Sequence, residues 1–245
     1  MYLSRKQSSQ RFTLPWMRST ALTALLVLAL GTESGSESLL PSDAAPKTYQ
    51  GRVIAPPMSY RGAGWLDRAD RDAVQQPEKV LDALHIQSGN TVADIGAGTG
   101  YFSLRLAKRV GPQGRVLATD IQPQMLAILK DNMRAAGLSN IELVLCTPTD
   151  AKLPENSLDL ALMVDVYHEL EYPEETLAQV RRALKPQGRL VLVEYRGEDP
   201  NVPIKPDHKT TLAQLRTEIE PLGWTVLEVL EFLEQQRIVV FGKEG

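Results

Sequence analysis

The residues of this chain best placed to do chemistry lie in three short runs. "VADIGAGTGYFS" (Val92–Ser103) carries one carboxylate, Asp94, then Gly96, Gly98 and Gly100 alternating with small residues. Twenty residues after Gly100, "LATD" ends on Asp120. Further on, "MVDVYHEL" (Met163–Leu170) gathers Asp165, Tyr167, His168 and Glu169 among apolar neighbours. A glycine loop between a strand and a helix lets main chain approach a ligand closely, and the helix N-terminus points at the same place. An acid aimed into such a loop repels a pyrophosphate and suits a ligand with a cationic end. The glycines run G-x-G-x-G, with Tyr101 where a dinucleotide loop carries its third glycine. A carboxylate at the end of the second strand takes both hydroxyls of a ribose. A ligand with an ammonium group, a ribose, an adenine and no phosphate meets all of these demands, and S-adenosylmethionine is that ligand.

The elements that must position these groups follow from the hydrophobic pattern. Strand-like runs at Thr91–Ile95, Arg115–Asp120, Ile141–Cys146, Leu158–Val164 and Arg189–Glu194 alternate with helical stretches at Thr99–Val110, Pro123–Ala136 and Glu174–Leu184. Short apolar strands separated by helices imply a parallel sheet covered on both faces. Leu66–Leu84 reads as one helix, with Pro77 suited to a first helical turn. Lys209–Leu222 reads as a last helix, and Thr225–Phe232 with Arg237–Gly242 as a hairpin. The predicted fold is α/β: a doubly wound, seven-stranded, mostly parallel sheet with a reversed last strand and helices on both faces.

"VADIGAGTG", "LATDIQPQML" and "LKPQGRLVLVEY" together resemble the class I S-adenosylmethionine-dependent methyltransferases of the small-molecule type. The resemblance covers roughly residues 66–242. It implies that Asp94 and the loop Gly96, Ala97, Gly98 and Gly100 lie along the methionine portion of the cofactor. It implies further that Asp120 binds the ribose hydroxyls, Ile121 packs on the adenine and Asp150 faces the adenine amino group. The expected activity is methyl transfer to a small organic acceptor by in-line displacement. The reading from another class is a non-catalytic module that binds S-adenosylmethionine or S-adenosylhomocysteine. A base is needed only where the acceptor carries a proton of high pKa. His168, Tyr167 and Asp165 are the catalytic candidates, Asp165 also facing the cofactor. Trp65, Tyr167, Glu194, Tyr195 and His208 are the candidate substrate-binding residues. "DPNVPIKPDHK" (Asp199–Lys209) reads as a loop across the pocket mouth, and the resemblance implies that Met58–Arg71 forms a lid.

Composition narrows the partners. The chain has 245 residues, 27 basic and 30 acidic, and a formal net charge of −3. Arg5, Lys6, Arg11 and Arg18 sit in its first twenty residues, so the body is distinctly acidic, which argues against nucleic acid as the partner. Cys146 is the one cysteine and reads as a small buried residue at a strand end. His85, His168 and His208 show no HxxxH spacing, so no metal is expected from sequence. Residues 1–31 read as a signal-like or membrane-associating leader: basic residues, an apolar stretch of about ten, then Ala29-Leu30-Gly31 as a small-x-small site. Residues 32–57 read as a flexible linker and 58–245 as the methyltransferase domain. The leader implies a membrane-associated or exported protein, or a cytoplasmic one if translation starts at Met17 or later. Sequence is silent on oligomeric state.

Overall fold

The computed structural model describes residues 45–244, so the predicted leader and the first half of the predicted linker lie outside the described residues. The described chain opens with a hairpin, β1 (Thr48–Tyr49) and β2 (Arg52–Val53), followed by α1 (Ala63–Leu66), α2 (Arg71–Gln75) and α3 (Pro77–Ala83). The alternating body is β3 (Thr91–Ile95), α4 (Tyr101–Val110), β4 (Arg115–Asp120), α5 (Pro123–Ala135), β5 (Ile141–Leu145), β6 (Leu158–Val164), α6 (Pro173–Ala183) and β7 (Leu184–Arg196). It closes with β8 (Lys209–Thr210), α7 (Leu212–Ile219), β9 (Trp224–Leu230) and β10 (Gln236–Lys243).

The main sheet has the order β5-β4-β3-β6-β7-β10-β9. β3 pairs in parallel with both β4 and β6, so the chain builds outward one way from β3 and then returns to build the other. That reversal leaves a crevice at the carboxyl end of β3, where open α/β sheets bind ligands. β10 runs antiparallel to β7 and β9, as the predicted hairpin requires, but it is inserted between them rather than added at the edge. The two-residue β8 pairs in parallel with the end of β7 at Tyr195 and Arg196.

Both faces are packed. Val92, Leu160, Val191 and Ile238 join Leu81, Leu106 and Leu129 from α3, α4 and α5 in one cluster. Ala93, Ala161, Leu192 and Phe241 join Leu177, Val180 and Leu215 from α6 and α7 in the other. Alternate residues of each strand feed opposite clusters, which is why these strands are apolar throughout. α6 begins on Pro173 with Glu174 and Glu175 in its first turn and ends with Arg181 and Arg182, charges that complement the helix dipole. Thr211 caps α7, its hydroxyl accepting from Gln214 N at 3.0 Å.

The structure corrects the reading in three places. The helix expected over Leu66–Leu84 is broken into α1, α2 and α3, with Gln76 at φ 43° between the last two. Proline disfavours the α conformation for the residue before it, so Pro77 starts one helix by ending another. The helix expected from Lys209 starts at Leu212 because the preceding residues pair with β7. The third correction is the linker: its last third is pinned to the domain. Arg52 is buried and its guanidinium makes a forked pair with buried Glu218, Nε to Oε1 and Nη2 to Oε2 both at 3.0 Å. Arg52 Nη1 and Ala55 N both donate to the His168 carbonyl at 3.0 Å, so this segment braces the turn that carries His168.

Removing one partner of a buried ion pair leaves the other charge uncompensated, at a cost of about 3–5 kcal/mol. Arg52→Ala is expected to lose stability of that size in urea unfolding, whereas a flexible linker residue would show no change.

Candidate functional site

A cavity of about 640 Å³ opens at the carboxyl ends of the central strands, within the roughly 300–1,000 Å³ usual for small-molecule sites. Its wall is built from the residues that follow each strand: Gly96–Gly98 after β3, Ile121 and Gln122 after β4, Cys146–Pro148 after β5 and Asp165 after β6. The Met58–Arg71 segment and the loop carrying Pro203, Ile204, Lys205 and His208 line its other sides. Gln122 ties the first of these segments to the end of β4, its amide donating to Met58 O and its side-chain oxygen accepting from Tyr60 N, both at 2.8 Å.

At one end sit two acids. Asp120 is buried; one oxygen accepts from Gly98 N at 2.9 Å and the other from Gln122 N at 2.8 Å. Each oxygen keeps a free lone pair, and burial holds the group above the usual carboxylate range. Ile121 beside it presents an exposed apolar surface to the cavity. Asp94 is also buried, accepts from the Ser103 hydroxyl at 2.5 Å and is pushed up to about 6 by desolvation. The cationic side chains Arg71 and Lys205 come from α2 and the 197–208 loop, not from the glycine loop or β4. A pyrophosphate would therefore face two acids there, whereas vicinal hydroxyls, a flat ring and an ammonium fit.

The glycines have a packing role beside the one expected. Gly96, Gly98 and Gly100 have φ of +70°, +55° and +90°. A Cβ at Gly96 would lie 2.5 Å from Val166, at Gly98 2.8 Å from Leu66, and at Gly100 2.0 Å from Leu129. The bare main chain makes room for protein side chains as well as for ligand. Gly100 does not line the cavity and works in the packing of α4 on α5, which removes it from the expected cofactor contacts. Ala97 does line it.

The other end is polar and stands on Glu194. This buried carboxylate accepts from Val166 N at 3.2 Å, Tyr167 N at 2.8 Å and His168 Nδ1 at 2.6 Å. Burial alone would lower the His168 pKa, but the charge of Glu194 and its hydrogen bond outweigh that and hold it above the ordinary histidine value. With Nδ1 engaged, Nε2 is the atom left for a ligand. Glu169 is pushed up to about 7 by desolvation. Asp165, at φ 57°, has both oxygens gripped by amides, Gln75 Nε2 and Gln236 Nε2, each at 2.7 Å. Desolvation first, then the charge of Glu194, raises it to about 6.

Three expected site residues are placed elsewhere. Tyr167 is fully buried away from the cavity; its hydroxyl donates to Glu218 at 2.8 Å and its ring lies 5.2 Å from the Arg52 guanidinium. Glu194 does not line the cavity; its carboxylate contacts His168, which does. Asp150 is an exposed turn residue that accepts from Lys152 N at 2.9 Å. Tyr195, Trp65 and His208 do line the cavity, Trp65 at the rim with Arg68 3.9 Å over its ring. Cys146 lines it too instead of lying in the core, with its thiol pushed up by desolvation and so a poor nucleophile.

Sequence reading passed over Arg71, Gln75 and Gln236. Arg71 is buried, stacks 3.8 Å over Tyr101 and donates to Gln75 at 2.6 Å, which in turn holds Asp165. Their spacing carries no motif; only an Arg and a Gln on the buried face of α2 and a buried Gln at the start of β10 mark them. The sequence shows no metal-ligand spacing, yet the fold brings three potential ligands together. Donor atoms of His168, Glu169 and His208 lie within 4.8 Å of one another, one residue buried and two half-buried. A triad split between positions 168 and 208 has no local spacing to find.

Residues 92–188 match the model of the methyltransferase domain family. The chain is 32% identical over 116 residues to the ubiquinone/menaquinone biosynthesis C-methyltransferase UbiE of Pseudomonas putida strain GB-1, 47% of this chain and 45% of that one. It thus spans less than half the length of the curated relatives it matches. A SAM-dependent methyltransferase from Aquifex aeolicus superimposes with a TM-score of 0.72 and 28% identity, over 76% of this chain and 98% of that one. The cyclase SpnF, at 18% identity and a TM-score of 0.59 over 70% of this chain and 81% of that one, shares the fold alone.

Burial raises the Asp94 pKa above its ordinary 3.8, so the folded chain holds that proton more tightly than the unfolded one. Its stabilising contribution is present below the unfolded value and is lost as pH rises through about 6. Asp94→Asn is expected to flatten the fall in melting temperature between about pH 4 and 6 and to be the more stable protein at neutral pH, by up to about 3 kcal/mol. Thermal unfolding across pH checks this; an unchanged profile would mean that Asp94 is not the desolvated group. Its sheet order, its paired acids and the methyltransferase domain matched over residues 92–188 are those of a class I S-adenosylmethionine-dependent methyltransferase.

Proposed function

We propose that this chain methylates a small, largely apolar organic acceptor carrying an ionisable hydroxyl, a hydroxylated aromatic of the hydroquinone kind. The observation that carries this reading is the continuity of one cavity from Asp94 and Asp120 at one end to His168, Glu169 and His208 at the other. When bound, S-adenosylmethionine supplies a methyl group already activated by its sulfonium.

The chain's own residues then hold and align. Asp120 accepts from the ribose hydroxyls while Gly98 N and Gln122 N keep its plane fixed. Ile121 supports the adenine. Asp94 faces the cationic methionine end, and Asp165, held still by its two amides, faces it from the polar side of the cavity. Between the ends, Pro56, Met58, Trp65, Leu66, Val166 and Ile204 offer apolar surface to the acceptor. Covering both partners with the Met58–Arg71 segment and the 197–208 loop excludes water, and fixing the nucleophile in line with the breaking bond supplies much of the rate. Tyr195 lies at the same polar end, which is where the acceptor's oxygen is directed.

The name of the similar Pseudomonas protein, a C-methyltransferase of quinone biosynthesis, supports an acceptor of this class. No helix among the described residues is long and apolar enough to cross a membrane. We further propose that the signal-like residues 1–31 bring the domain to a membrane, where such acceptors concentrate; fractionation of the full chain against one starting at residue 45 tests this.

Asp120→Ala is expected to weaken S-adenosylmethionine binding by about 100-fold, roughly the 2–3 kcal/mol of a charge-assisted bond pair. Calorimetry measures the affinity, and transfer of a labelled methyl group to a panel of hydroquinones measures the activity. Tight cofactor binding with no transfer to any hydroxylated aromatic would sink the acceptor class and favour a binding module.

A further inference from the structure

We propose that His168, Glu169 and His208 form a binding site for a divalent transition-metal ion, with zinc the ion that their donors suit best, and that the bound ion receives the acceptor's oxygen. Two imidazoles and one carboxylate are a donor set that transition metals take in preference to magnesium or calcium, which favour oxygen alone. The three donor atoms lie within 4.8 Å of one another in the cavity wall. Zinc at about 2.1 Å from each would draw them in by about an ångström, a movement within reach of the Glu169 side chain and the His208 loop.

The surroundings are built for ligation. Each imidazole has its Nδ1 turned to a carboxylate: His168 to Glu194 at 2.6 Å and His208 to Asp207 at 3.0 Å. With the Nδ1 proton directed at the carboxylate, Nε2 carries the lone pair, and this is how ligating histidines are oriented and made more basic. The rings are already face to neighbouring face, 5.1 Å between centroids at 46°. Both ends of the triad are anchored to one strand. Glu194 of β7 fixes the 166–168 turn, and β8 fixes His208 by pairing Lys209 with Tyr195 of the same strand.

Three protein donors leave a coordination position open, the pattern of a catalytic rather than a structural zinc site. An acceptor hydroxyl placed there would lose its proton more readily, as bound water does. The O–H bond breaks, the electron pair stays on oxygen and the proton leaves to solvent. This second half of the proposal rests on the methyl-transfer reading; the metal site itself does not.

Full-length protein stripped with EDTA and dialysed against zinc chloride is expected to retain one zinc per chain by mass spectrometry of the metal. Competition with a chromophoric chelator should show affinity falling at least about 100-fold in His208→Ala and in Glu169→Gln, and about 10–100-fold in Glu194→Gln. His85→Ala, on the turn after α3, should leave it unchanged, and circular dichroism establishes that each variant is folded. The absence of stoichiometric zinc, or zinc that survives both His208→Ala and Glu169→Gln in folded protein, would overturn the site. The cobalt-loaded protein tests the open position without any methyl transfer. Added catechol should shift its visible bands, and unchanged bands would overturn the acceptor's place on the ion.

Discussion

The polar end of this molecule depends on one buried carboxylate. Glu194 lies at the end of β7 and accepts three hydrogen bonds from consecutive residues of the turn after β6. Burying a charge is costly unless its lone pairs are met, and here two main-chain amides and an imidazole meet them. The contact turns a strand end and a neighbouring turn into one rigid corner. Without it, Val166 N, Tyr167 N and the His168 ring would lose the one acceptor they share, and with it the link between the turn and β7.

That corner is braced from outside by residues remote in sequence. Arg52 and Ala55 donate to the His168 carbonyl, so the turn is held through its main chain from one side and through its side chain from the other. Arg52 is itself fixed by Glu218 of α7, which also accepts from Tyr167. Hairpin, turn, last helix and strand end thus share one buried network of charge. A network of this kind is stable only when every member is present, because each unpaired group would bear its full desolvation cost. The segment around residues 48–55 therefore belongs to the domain, although its composition reads as a linker.

Much of the sheet was legible in the sequence because of how it is buried. Thr91–Ile95, Arg115–Asp120 and Leu158–Val164 were read with the bounds that the structure shows, since strands covered on both faces are apolar runs with sharp polar ends. Asp94 and Asp120 were legible for the opposite reason: an acid in such a run is costly and calls for a purpose. What sequence could not show is whatever depends on tertiary neighbours. Tyr167 and His168 are adjacent in sequence, yet one faces Arg52 and Glu218 and the other faces the cavity, because the tight turn splits their directions. Gly100 looks like its two companions in the loop, and only the presence of Leu129 behind it separates its role from theirs.

The distribution of strain and desolvation follows from the same logic. Asp94, Asp165 and Glu169 all sit above the ordinary carboxylate range, each chiefly through burial, and Asp165 adds a left-handed backbone. None of these features helps the empty fold; each is a cost that packing elsewhere must offset. They are gathered on the wall of one cavity, while the two hydrophobic clusters behind them contain fully buried Leu, Val and Ile with no such burden. A cationic ligand group near Asp94 and Asp165, and a cation at the opposite end, would each relieve a cost already present in the fold. The fold thus gathers on one cavity wall the groups whose cost a bound cation would offset.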